Sequence, residues 1–261
     1  MKIRFAAVII LILMLAGFAG GRGFARADDG AGSVFDPANF SATVTLATDY
    51  VFRGISQTDK NPAVQGSFDY AHPVGIYAGI WGSNVNSSIS EGGIEIDYYA
   101  GYKRELLTNF GFDISAIYYS YPGGGSDPEL DYLEGHLGLE YQFKDLPLSP
   151  VIGAAYFYSP DFYGEDGSGH YVNGSLALNL PYDITLSGLL GYQTVEGDKT
   201  TGNGQGLDGK DGFDYTHWRI GIAKEVLTFV LDLSWTDTSE ADFLGDDIAD
   251  SHLVFSVSRT F

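Results

Sequence analysis

Ser251-His-Leu-Val-Phe-Ser-Val-Ser-Arg-Thr-Phe261 ends the 261-residue sequence. Leu253, Phe255, Val257 and Phe261 share one set of alternating positions, with Arg259 as the single intruder, and Val254, Ser256, Ser258 and Thr260 take the other. Successive side chains of a strand point to opposite faces, so a period of two describes a strand with one apolar face. Taken alone, the stretch fits the edge of a soluble sheet as well as a strand whose apolar face meets lipid. The residues upstream decide between the two.

Working back from this strand, about twelve segments carry the same period: 40–52, 62–71, 75–84, 93–104, 110–121, 131–143, 150–159, 170–180, 183–193, 212–224, 228–237 and 251–261. Their connections alternate in length. Short ones (His72–Val74, Glu105–Asn109, Lys144–Ser149, Pro181–Tyr182, Glu225–Leu227) separate longer polar ones (Gly54–Asn61, Val85–Gly92, Pro122–Leu130, Pro160–Gly169, Val195–Asp211, Thr238–Asp250). That order places both chain ends on the short-turn side, as in an up-and-down membrane barrel with short periplasmic turns and longer external loops. The expected fold is an all-β transmembrane up-and-down antiparallel β-barrel of about twelve strands.

Composition says which face looks outward. One face gathers aliphatic residues at strand middles and Tyr, Phe or Trp at many strand ends, among them Leu46, Tyr50, Phe68, Tyr98, Leu137, Tyr141, Leu186, Tyr192, Leu233 and Trp235. A lipid band between aromatic girdles has this distribution. The other face carries Thr43, Gln65, Asp69, Lys103, Asp113, Gln142, Ser187, Gln193, Asp232 and others like them. A soluble twelve-stranded barrel would have to fill too wide an interior with apolar side chains, whereas a polar lumen can hold water. Val151–Phe157 is apolar on both faces and departs from the pattern.

Lys2 and Arg4 precede an apolar run from Phe5 to about Gly20, and Ala25-Arg26-Ala27 has the small-x-small spacing of a signal-peptidase site. Residues 1–27 therefore read as a cleavable signal peptide, 28–39 as a short periplasmic linker and 40–261 as the barrel. Cleavage would remove four positive charges (Lys2, Arg4, Arg22, Arg26) from a net charge of −20, leaving −24 on the remaining 234 residues. So acidic a chain is no nucleic-acid binder. The absence of cysteine removes disulfide scaffolds and thiolate metal sites.

Thr48-Asp-Tyr-Val-Phe-Arg-Gly-Ile-Ser-Gln-Thr58, Pro62-Ala-Val-Gln-Gly-Ser-Phe-Asp-Tyr70, Gly75-Ile-Tyr-Ala-Gly-Ile-Trp-Gly-Ser-Asn84 and Ile94-Glu-Ile-Asp-Tyr-Tyr-Ala-Gly-Tyr102 carry a family resemblance. Together they resemble the TorF porin family, proteobacterial outer-membrane proteins of poorly defined function. The motifs cover the first quarter to third of the chain after the signal; downstream the likeness lies in layout and in the terminal aromatic. The resemblance implies an outer-membrane barrel and a channel, and supplies no catalytic residues. In outer-membrane barrels generally, a terminal aromatic such as Phe261 is part of the signal read by the barrel-assembly machinery. Where Arg259 stands, the usual pattern prefers an apolar residue.

The expected function is a passive, narrow, water-filled pore for small hydrophilic solutes, cation-preferring, non-enzymatic and without cofactor or metal. Its expected partners are outer-membrane lipids and lipopolysaccharide, the assembly machinery and the solutes themselves. Asp49, Arg53 and Asp69, near the first long loop, read either as a docking group at the outer mouth or as an ion pair that pins that loop. Glu95, Asp97 and Glu134 read as a cation-selecting ring, a weak divalent site or a solvated wall. Glu140 and Arg219 complete the charged lining. His136 and His217 face inward, and a hydrolase would need a serine beside one of them with an orienting acid or amide. The acidic run around Thr238–Asp250 reads as a solvated loop or a bridge to lipopolysaccharide through divalent cations, and Gly202–Gly206 as an external loop. A barrel hydrolase of lipid or peptide, and a plugged structural or adhesion barrel, are the alternatives. A serine within hydrogen-bond reach of a lumen histidine would favour the first, and a tightly packed interior the second.

Overall fold

A computed structural model describes residues 34–125, 129–165, 167–197, 213–239 and 247–261. The proposed signal peptide lies outside them. The strands are β1 (Phe40–Ala47), β2 (Val51–Phe52), β3 (Ile55–Ser56), β4 (Ala63–Ala71), β5 (Ile76–Asn84), β6 (Ile94–Leu107), β7 (Phe110–Ser120), β8 (Tyr132–Gln142), β9 (Val151–Ser159), β10 (Gly169–Leu180), β11 (Ile184–Val195), β12 (Phe213–Val226), β13 (Phe229–Thr238) and β14 (His252–Thr260). All but β2 and β3 form one closed antiparallel barrel, twelve strands among the described residues. The seam joins β1 to β14, from Thr43 opposite Thr260 to Ala47 opposite Ser256. Beyond it the Phe261 N–H donates to the Ala42 carbonyl at 2.9 Å, so the terminal residue extends the closure. About ten residues per strand at about 3.3 Å each, tilted about 40°, give a wall roughly 25 Å tall, the height of a membrane's apolar band. No helix among the described residues is long and apolar enough to cross a membrane; this chain would cross with strands.

The alternation sorts as the sequence predicts. Leu46, Phe68, Ile114, Leu137, Leu190, Ile220 and Leu233 point outward and are exposed. Tyr118, Tyr156, Tyr158, Tyr192 and Trp235 ring the loop end of the outer face, while Phe40 against Phe68 and Tyr70, Tyr102 against Phe112, and Tyr141 against Phe143 ring the turn end. Arg259 also points outward, and its guanidinium lies 4.5 Å from the Phe261 ring centroid and 5.5 Å from that of Phe229. A long cationic side chain whose head reaches the interfacial aromatic ring is tolerated on a lipid face, which accounts for the departure at this position.

The turns between barrel strands at the end bearing Phe40 and Phe261 are tight. Asn109, Tyr182, Asp183 and Leu227 take positive φ in them (57 to 67°), as short hairpin connections require. One expected strand is split. Segment 40–52 leaves the barrel wall after Ala47, and Val51 and Phe52 belong to a second, two-stranded sheet with Ile55 and Ser56. Tyr50, read from its alternation as outward-facing, is instead buried in the lumen. The alternation survives because the hairpin is itself extended, so period two cannot tell a strand that stays in the wall from one that turns inward.

Candidate functional site

The first long connection folds into the barrel. Val51 pairs with Ser56 and Phe52 with Ile55, and the two residues between them, Arg53 (φ 47°) and Gly54 (φ 89°), both have positive φ, as in the tightest hairpin turns. A Cβ on Gly54 would lie 2.7 Å from Thr238 Cγ2 and 2.8 Å from His217 Cβ, so the turn sits directly on the inner wall and admits only glycine there. Asp49 organises the base. It accepts hydrogen bonds from Ser56 Oγ and Thr58 Oγ1, both 2.7 Å, and its other oxygen faces His252 Nε2 on β14 at 3.0 Å. The Asn86 N–H donates to the Gln57 carbonyl at 2.7 Å and ties the base to the next loop.

At the tip Arg53 is fully buried, with 1% of its surface exposed. Its Nη2 donates to Glu134 Oε2 at 2.7 Å, while Nη1 donates to Glu134 Oε1 at 3.0 Å and to Gln193 Oε1 at 2.7 Å. This is the two-pronged arginine–carboxylate geometry, stronger and more directional than a single charged contact. The guanidinium carbon also lies 4.2, 4.6 and 5.0 Å from the ring centroids of Tyr171, Phe52 and Phe157, within cation–π range. The Tyr119 hydroxyl donates to Glu134 at 3.0 Å.

Rings fill the space around the hairpin. Tyr50 meets Trp81 edge-on at 5.3 Å, Phe52 meets Tyr119 at 5.9 Å, and Tyr119 stacks on Tyr132 at 4.3 Å, which in turn meets Phe162 at 4.9 Å. The Tyr50 hydroxyl donates to Glu95 Oε1 at 3.0 Å. Burial, with that carboxylate beside it, pushes the Tyr50 phenol well above its ordinary range, which keeps it a donor. Ile55 packs with Tyr215, Ile248 and Ala249. The loop-end half of the lumen is therefore a packed core with the hairpin as its filling.

The turn-end half is different. Lys103 sits opposite Asp113, which also accepts a 2.6 Å bond from Tyr77, and Arg219 pairs with Asp232 at 2.6 Å. Asp69 accepts from Ser67 at 2.7 Å and from the Tyr99 hydroxyl. The alternation brings Gly138, Gly153, Ser175, Ser187 and Ser234 to the same inner face, so much of the wall carries small side chains.

The structure thus redistributes the expected site residues. Arg53 does pin the first loop, but on Glu134, not on Asp49 or Asp69. Glu134 is engaged with Arg53, and among the described residues no three such groups are placed to hold a metal ion. His136 Nδ1 lies 3.0 Å from Ser115 Oγ, and Asp113 stands 3.8 Å from that same nitrogen. This is the serine–histidine contact that favours the hydrolase alternative, but Asp113 and Ser115 share one ring nitrogen, whereas a relay needs serine and acid on opposite ones. His217 Nε2 meets the Tyr171 hydroxyl at 2.7 Å. Of the acidic run, Glu240, Asp242 and Asp246 lie outside the described residues, as do 202–206. Asp247 pairs with Lys60 at 3.0 Å, and this contact holds its carboxyl below the ordinary range. Sequence reasoning placed Gln193 on the lumen face without a role, and missed Tyr119, Phe157 and Tyr171 as parts of the site. The signal that would have found them is a set of rings interrupting the polar face, densest near the loop end.

Residues 31–261 match the profile of Gcw_chp, described as a bacterial protein of unknown function. The chain belongs to that family. The Gcw_chp description carries no porin designation, so the TorF likeness stays a resemblance. Among solved structures, the barrel is similar to a KdgM porin in complex with disordered oligogalacturonate (TM-score 0.53, 10% identity) and to the NanC porin (TM-score 0.54, 9% identity). In each comparison 85% of this chain and 98% of the other is covered. At such identities the likeness is one of fold. No curated protein sequence matches.

Proposed function

We propose that this Gcw_chp protein is an outer-membrane channel of porin type for small hydrophilic solutes, non-enzymatic, with both chain ends on the periplasmic side. The observation that carries the reading is a closed barrel with an apolar outer belt around a lumen whose turn-end half is polar, charged and lined by small residues. Export through the signal at 1–27, insertion by the assembly machinery through Phe261 and contact with lipopolysaccharide at the loop end belong to the same reading. So does a cation preference from the lumen carboxylates. The inward hairpin narrows this proposal: passage requires it to move or leaves only a thin path beside it. It also favours a second reading, a plugged structural barrel.

One experiment separates the two. The refolded barrel, wild type and with Val51–Ser56 replaced by a Gly/Ser linker, is compared in planar bilayers after checking that both run as heat-modifiable bands, as closed barrels do for want of a free edge. The channel reading expects small wild-type conductance and about a tenfold rise or more on replacement. A silent wild type beside a conducting replacement variant would sink it in favour of a barrel plugged by the hairpin, and silence of both folded proteins would sink it as well.

A further inference from the structure

The contacts of Arg53 divide unequally between hairpin and wall. Phe52 comes from the hairpin, but Glu134, Phe157, Tyr171 and Gln193 come from four consecutive wall strands, β8 to β11. Each of the four is 1% exposed. If the tip swings away, these wall groups remain: a carboxylate presenting both oxygens, an amide oxygen beside it, and two ring faces.

With the hairpin seated the Glu134 carboxylate is buried and needs a cation against it, and with the tip away it is left without that partner. Its geometry also selects the kind. Two parallel acceptors, a third acceptor in reach of the same nitrogen and flanking rings suit a flat guanidinium. A spherical ammonium cannot make the two-pronged contact and stacks less well. A buried ion pair is moreover weak as glue compared with apolar packing. What it offers instead is exchange: an equivalent cation restores every Glu134 contact that Arg53 gives up.

We propose that the Glu134–Gln193–Phe157–Tyr171 site is a receptor for a guanidinium-bearing solute, and that Arg53 is its tethered stand-in. The inference rests on the channel reading, because the lumen must admit the solute. A solute that takes the site displaces Arg53 and frees the hairpin. Tethered groups act at effective concentrations of about millimolar or above, so exchange needs solute in at least that range. The excess of lumen carboxylates draws such a cation inward.

The test uses the refolded full-length barrel and three probes of similar size, methylguanidinium, methylammonium and urea, at matched ionic strength. In the wild type, chymotrypsin should cleave after Tyr50 or Phe52 only slowly, since both lie inside the barrel. Methylguanidinium at about 10–50 mM should accelerate that cleavage saturably, about tenfold, where methylammonium and urea do not. By calorimetry Arg53→Ala should bind methylguanidinium at least about tenfold more tightly than wild type, having no tethered competitor, and Arg53→Ala/Glu134→Gln should lose the binding. Equal acceleration by methylammonium, or a folded Arg53→Ala barrel that binds nothing, overturns the proposal. Binding to Arg53→Ala without hairpin release in the wild type overturns it as well. Should Arg53→Ala fail to fold, the wild-type cleavage decides alone. None of these readouts needs conductance, so a barrel that binds but never conducts sinks only the channel reading, and one that conducts without binding sinks only this inference.

Discussion

The two halves of the lumen are built from the same strands and the same alternation, yet one is packed and the other is lined. At the loop end the inward residues are Trp81, Tyr119, Tyr132, Phe157, Tyr171 and Tyr215, closed around Tyr50, Phe52, Arg53 and Ile55 of the hairpin. At the turn end they are charged pairs, hydroxyls and glycines, with the rings of Tyr77 and Tyr99 reaching Asp113 and Asp69. Twelve strands enclose more space than their own side chains fill, so rings on the wall meet one another only if something is inserted between them. The hairpin is that insertion. Any resistance to passage therefore belongs to one element held at one half, and the two halves should answer to mutation separately.

Glu134→Gln is the substitution expected to break the difference most. It leaves the Arg53 guanidinium buried without its carboxylate, and losing one member of a buried pair costs about 3–5 kcal/mol. That cost falls on the seating of the hairpin more than on the barrel, whose closure is made by backbone pairing. Conductance should rise towards that of the Gly/Ser replacement, and chymotrypsin should cut after Phe52, while the heat-modifiable band persists. A double change to Arg53→Leu/Glu134→Leu should restore much of the occlusion. If Glu134→Gln conducts and resists cleavage like wild type, the packed half is not held by its ion pair.

Gly54→Val should act in the same direction and less strongly. The new Cβ meets Thr238 and His217 at under 3 Å and must adopt φ near 89°. Strain at such a position costs on the order of 1–3 kcal/mol. The hairpin can relieve it by lifting off the wall, so protease sensitivity should increase while the thermal stability of the barrel changes little. Equal loss from Gly138→Val, at the lined half, would erase the distinction between the halves.

The wall was legible in the sequence because lipid, pleat and register impose one rule along its whole length. Leu253, Phe255 and Val257 could face lipid only if Ser256 and Ser258 faced in, and neighbouring strands repeat that choice. The first hairpin obeyed the same rule for another reason. Tyr50 and Phe52 continue the alternation of Phe40, Val44 and Leu46 because the hairpin is extended, and their rings meet Trp81 and Tyr119 in the lumen instead of lipid. Two local signals did mark the departure. Arg53-Gly54 supplies the positive-φ pair of a tight turn, and Tyr119, Tyr132, Phe157 and Tyr171 interrupt the polar face near the loop end. The partner of Arg53 was not legible at all. Asp49 and Asp69 are near it in sequence, but the reach of the hairpin across the lumen brings it to Glu134, 81 positions away, and no periodicity encodes that distance. Nor could a list of lumen carboxylates show that Glu134 was engaged.

Ion preference should change least, and it tests the halves by charge. The lumen face carries eight acids (Asp49, Asp69, Glu95, Asp97, Asp113, Glu134, Glu140, Asp232) and three bases (Arg53, Lys103, Arg219), an excess of five negative charges. Arg219 pairs with Asp232, Lys103 faces Asp113, and His252 stands beside Asp49. In the wild type Glu95 and Asp97 lie behind the hairpin, so ions on the turn-end side meet mainly Asp69 and Glu140, and a modest cation preference is expected. Replacing Val51–Ser56 removes Arg53, frees Glu134 and opens the way to Glu95 and Asp97, raising the excess from five to six. Carboxylates in a narrow channel with low-dielectric walls concentrate counter-ions, and salt screens them over about 10 Å at 0.1 M. Reversal potentials under a salt gradient should therefore show stronger cation preference in the replacement variant than in wild type. Adding Glu95→Gln, Asp97→Asn and Glu134→Gln to the variant should weaken it, most visibly at low salt. Anion preference in both proteins would mean that these carboxylates do not line the conducting path. An identical preference in both would mean that the hairpin does not shield Glu95 and Asp97 from the ions.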